Sequence, residues 1–105
     1  MTDDRFKWIY PLPTEREREI LTILIEEAAE VQQRASKILR FGRDEVQPGQ
    51  DLTNKTRLSG EVGDFQAVVE EAKAAGLIDI DVVTEAVRLK RVKLRIFMQH
   101  EPDQS

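Results

Sequence analysis

Two acidic pairs stand out in the chain: Glu27 with Glu30, and Glu61 with Asp64, each three residues apart inside apolar, helix-periodic sequence. Positions three apart lie on one side of a helix about a turn from each other, so each pair can present carboxylate oxygens toward one point. Both pairs fall on the stripe that should face a core. An ionised carboxylate without a partner is costly there, and several together repel one another. A jointly held cation removes both penalties. Oxygen-only donors are hard ligands and select Mg²⁺, with Mn²⁺ as a substitute. Glu27, Glu30, Glu61 and Asp64 are therefore the candidate metal ligands. Glu26 and Glu27 are the candidate catalytic acids, with Glu26 serving as an extra ligand or a general base.

Two helices must position these residues. Thr14 followed by Glu17 forms a capping box, and Ile20, Leu24, Glu27, Val31, Ala35 and Ile38 then recur on one helical face. Gly42, Pro48 and Gly49 interrupt the period, so Gly42 to Thr53 reads as a long loop. A second helix starts at Thr53 or Asn54 and runs to Gly76, with Leu58, Glu61, Phe65, Val68 and Ala72 facing inward. A hairpin folded between Glu45 and Val46 sets the two acidic pairs at one level, Arg34 near Arg57, and Lys37 near Asn54. An anionic and a cationic level then share one groove, which suits a substrate whose phosphates reach both.

A third helix capped by Asp79 or Asp81 carries Val83, Val87, Lys90, Leu94 and Phe97 as its stripe, and a short extra turn near Leu77 to Ile80 is left open. Arg88, Lys90, Arg91, Lys93 and Arg95 make this helix basic, for triphosphate, for nucleic acid, or as a solvated face near a helix C-terminus. Lys90, on the stripe, is the preferred phosphate contact. Residues 1–13 read as an irregular strap across the bundle, in which Trp8 either stacks on a nucleobase or plugs the end of the core. Residues 100–105 read as a mobile polar tail.

The 105 residues make one all-α domain, an antiparallel hairpin plus a third helix. Its core is thin, which favours a four-helix-type bundle completed by homo-oligomerisation. With no cysteine and a single histidine, His100, zinc and disulfides are set aside. The net charge of −4 argues against non-specific nucleic-acid binding. Lack of a long apolar run or a signal-like N-terminus points to a soluble, cytoplasmic protein without a membrane role.

The stretches LIEEAAEVQQRASKILRFG and NKTRLSGEVGDFQAVVEE resemble the all-α nucleoside triphosphate pyrophosphohydrolases of the MazG-like group, over the segment from Arg18 to Phe97. In that group Glu-x-x-Glu on one helix answers Glu-x-x-Asp on the next. The resemblance implies that Glu27, Glu30, Glu61 and Asp64 bind Mg²⁺, with Glu26 the preceding acid. It further implies hydrolysis of a nucleoside triphosphate, ribo or deoxyribo, to monophosphate and pyrophosphate by a homodimer or homotetramer. Arg34, Lys37, Asn54, Arg57, Lys90 and Trp8 are the expected substrate contacts. The spacer Val31 to Gly60 is longer than usual and the last helix has no asparagine, so base preference is not inherited. The alternatives are a pyrophosphohydrolase of a modified or biosynthetic nucleotide such as phosphoribosyl-ATP, and a non-catalytic helical interaction module.

Overall fold

A computed structural model describes residues 10–103 as three helices: α1 (Glu15–Phe41), α2 (Asn54–Ala74) and α3 (Ile80–Phe97). The start of α1 is set by its capping box. The Thr14 hydroxyl accepts from the Glu17 N–H at 3.1 Å, and the Glu17 carboxylate accepts from the Thr14 N–H at 2.7 Å. The helix ends at Gly42, whose φ of 89° no L side chain adopts easily. At the other end of the hairpin, α2 closes with a Schellman motif. The N–H of Leu77 donates to the Ala72 carbonyl at 2.9 Å and that of Gly76 to Lys73 at 3.0 Å, with Gly76 at φ 75°. Asp79, rather than Asp81, caps α3, accepting from the N–H groups of Asp81 and Val82. The extra turn between Leu77 and Ile80 is a bend, not a helix.

The two long helices form an antiparallel hairpin, in which nearly all of the interhelical packing resides. Ile20 and Ala72 are its buried apolar residues, 6% and 0% exposed, and Arg16 reaches Glu71 across its open end at 3.5 Å. Such an exposed pair adds little stability, but it marks the register.

The connection between them is ordered by polar contacts. Val46 and Thr53 form an isolated antiparallel bridge, and the N–H groups of Asn54 and Lys55 donate to the carbonyls of Glu45 and Arg43, both at 2.9 Å. Asn54 is 2% exposed, and its side-chain nitrogen donates to the Gly42 carbonyl at 2.9 Å and the Glu45 carboxylate at 3.2 Å.

The third helix departs from expectation. Every residue from Thr84 to Asp103 is exposed, so among the described residues nothing covers the stripe of Val87, Lys90, Leu94 and Phe97. Only its beginning, Val83 and Val87, lines a groove against Phe65, Val69 and Lys73 of α2. The radius of gyration is 18.5 Å, against about 13 Å for a compact chain of 100 residues. Most of the expected strap, residues 1–9, lies outside the described residues, and Tyr10 and Leu12 of its remainder are 77% and 51% exposed. No helix among the described residues is long and apolar enough to cross a membrane.

Candidate metal centre

Midway along the hairpin, one carboxylate oxygen each from Glu27, Glu61 and Asp64 lies within 4.8 Å of the others. The helix phase creates this meeting. Glu27 shares its face of α1 with Ile20 and Leu24, so the packing that buries Ile20 turns Glu27 inward as well. On α2, Glu61 and Asp64 are a turn apart and flank the same point from the other side. Glu27 and Glu61 are half-buried and Asp64 is exposed, so the cluster opens to solvent at the Asp64 side.

The electrostatics are unfavourable as the side chains stand. The Glu27 carboxyl is pushed above the usual carboxylate range, first by burial and then by the negative charges of Asp64, Glu61, Glu30 and Glu26. Its Oε2 atom is shut off from solvent and has no hydrogen-bond partner among the described residues. An acceptor desolvated without a donor is costly.

A divalent cation fits this donor set. With oxygens about 2.1 Å from an octahedral Mg²⁺, only one pair of the three can stand on opposite sides of the ion and the other pairs lie about 3 Å apart, so the side chains must draw together by up to about 2 Å to share it. All three donors are carboxylates, which matches a hard cation and not zinc.

Around this cluster the other expected site residues take distinct places. Glu30 is half-buried and adds its field to Glu27 without joining the three, and Glu26 is exposed one position before Glu27. Arg34, two turns further along the same face of α1, is half-buried, and its Nε atom is buried without a partner among the described residues. The Lys37 ammonium lies 5.9 Å from the centre of the Phe41 ring, which Arg40 also approaches at 4.9 Å. Arg57 is half-buried and donates to the Gln47 side chain at 3.4 Å. Asn54 braces the loop, its amide nitrogen donating to the Gly42 carbonyl and the Glu45 carboxylate. Lys90 is exposed on α3, and Trp8 lies outside the described residues.

Glu45 and Gln47 were not legible as site supports. Their side chains tie the connection to Asn54 and Arg57 across nine and ten residues of sequence, contacts that no helical period signals. No known protein family, curated protein or solved structure matches the chain.

Proposed function

We propose that this chain is a Mg²⁺-dependent nucleoside triphosphate pyrophosphohydrolase of the MazG-like all-α type, acting as a homo-oligomer. The reading rests on the three converging carboxylates, and above all on the buried, partnerless oxygen of Glu27, which a divalent cation would satisfy. Glu27, Glu61 and Asp64 would hold that ion, with Glu30 beside them. When bound it would neutralise phosphate oxygens and acidify water, chemistry that carboxylates alone cannot supply.

The chain's own residues supply the rest. Arg34, whose Nε has no partner among the described residues, and Arg57 carry positive charge on the half-buried part of the hairpin, and guanidinium groups there would bind phosphate oxygens in paired hydrogen bonds. Lys37 adds a point charge from the same helix. Glu26, open to solvent, is free to take a proton from the water that attacks the α-phosphorus. The α–β anhydride bond breaks as the new P–O bond forms, and pyrophosphate leaves with charge that the cationic side chains stabilise.

Incubation of the purified chain with the common ribo- and deoxyribonucleoside triphosphates and Mg²⁺ tests this reading. Monophosphate and pyrophosphate are the expected products, lost in Glu27→Gln and Asp64→Ala. Absence of pyrophosphate from every substrate would argue strongly against it. Release of pyrophosphate only from phosphoribosyl-ATP or another modified nucleotide would shift the assignment to that class. The exposed α3 favours the interaction-module alternative, which predicts that Mg²⁺ leaves thermal stability unchanged in the wild type.

A further inference from the structure

Helix α3 has two apolar rows rather than one. Ile80, Val83, Val87 and Leu94 form the first, whose beginning meets α2. Val82, Leu89, Val92 and Ile96 form the second, at 64%, 44%, 44% and 69% exposure among the described residues, and Val87 and Leu94 of the first row are as open, at 47% and 42%. At 100° per residue the rows lie on nearly opposite sides, separated on one flank by Arg88, Arg91 and Arg95 and on the other by Lys90 and Lys93. A helix lying on a lipid surface presents one apolar sector opposite one polar sector, so this double pattern suits a helix held between two protein surfaces.

Val82, Leu89 and Ile96 are seven residues apart, with Val92 between the last two, the spacing of a helix–helix seam. Charge is divided along the same helix. Asp79, Asp81 and Glu85 stand in its N-terminal part, whereas five cations and no anion occupy Ala86 to Phe97. Two copies side by side in parallel would stack like charges along the whole helix, whereas two antiparallel copies centred on Leu89 set Glu85, which pairs with Arg88 in its own chain, level with Lys93 at both ends of the seam, against one like-charged level of Arg88 with Lys90.

We infer that the second row of α3 is a self-pairing surface that receives α3 of a second copy, antiparallel and centred on Leu89. In that arrangement Leu89 meets its counterpart, Val82 lies level with Ile96, Ala86 with Val92, and Glu85 with Lys93. The first row remains free to settle against α2. The pairing gives the proposed oligomer a specific contact and does not depend on metal or on hydrolysis.

The sequence has no cysteine, so introduced thiols report the geometry directly. Leu89→Cys should form a disulfide-linked dimer on oxidation. Val82→Cys alone should not, because antiparallel pairing separates the two copies of residue 82 by about 21 Å along the helix axis, far beyond disulfide reach. The double variant Val82→Cys/Ile96→Cys should link. In sedimentation the full chain should run at twice its monomer mass and Leu89→Lys at the monomer mass, with helical content retained because Leu89 is exposed in the monomer. Glu85→Lys should weaken the dimer, and adding Lys93→Glu should restore it. A wild-type monomer at high micromolar concentration would overturn the inference, as would a Leu89→Lys dimer or an unlinked Leu89→Cys. A monomer that instead sediments with vesicles of anionic phospholipid would assign α3 to membrane surfaces.

Discussion

The α1–α2 hairpin and α3 carry similar fractions of charged residues and α3 is the more apolar, yet the hairpin packs on itself while α3 is exposed from Thr84 onward. In the hairpin Ile20, Leu24, Leu58, Phe65 and Ala72 fall on facing stripes that the connection brings together, while Ile25 and Leu39 lie off them at 70% and 88% exposure. In α3 the apolar positions divide between two rows, and a single hairpin can cover at most one of them. Amphipathic pattern thus decides how many neighbours a helix needs, and hairpin closure decides how many one chain can supply. The same closure concentrates acid: it buries Ile20 and Ala72 and brings Glu27 to Glu61 and Asp64.

The sharpest test of this contrast is matched truncation. Ile20→Ala should cost about 2–5 kcal/mol in chemical denaturation, whereas Ile96→Ala in dilute, monomeric protein should fall within about 0.5 kcal/mol of wild type. Equal losses would break the distinction. The acidic centre gives the next largest effect. Mg²⁺ at a hundredfold excess over its dissociation constant should stabilise the wild type by about 2.7 kcal/mol in thermal unfolding. Glu61→Ala and Asp64→Ala should abolish that gain, and variants on α3 should leave it intact.

The connection lies between the two regions and should show an intermediate cost. Asn54→Ala removes the donor to Gly42 and Glu45 from a 2% exposed site, and should destabilise by about 1–3 kcal/mol. Gly76→Ala places a side chain at φ 75° and should cost about 1–2 kcal/mol in equilibrium unfolding.

The smallest effect is the pH response of the metal-free hairpin. The Glu27 carboxyl is raised above its ordinary value of 4.5 in the folded chain, so the native state holds its proton to higher pH than the unfolded state does. Stability from this group is therefore greatest below that value and declines as pH rises through the folded pKa. Glu27→Gln should flatten that decline in urea titrations at successive pH values, with Mg²⁺ withheld. An unchanged slope would show that the cluster does not repel as its geometry requires.

Much of the hairpin was legible because its signals are local. Thr14 and Glu17 fixed the start of α1, Gly76 the stop of α2, and the three-and-four spacing of Ile20, Leu24 and Glu27 set the inward face. The approach of Glu27 to Glu61 and Asp64 followed from those faces together with the position of the loop. Glu45 holding Asn54 was not legible, since it depends on the path of an irregular segment. The exposure of Val87, Leu94 and Phe97 was missed for another reason: periodicity shows that a stripe wants cover, without showing whether its own chain can provide it.

By itself, the order of residues determined three helices, the capping box of α1, the glycine stop of α2, and acids placed on helix faces that repeat apolar positions, since these follow from backbone hydrogen bonding and from repeats of three and four positions. Only the tertiary structure decided which carboxylates converge, that Asn54 braces the connection, and that α3 stands away from the hairpin. Those outcomes depend on distances between segments remote in sequence, which are set by how the helices pack and by the route the chain takes between them.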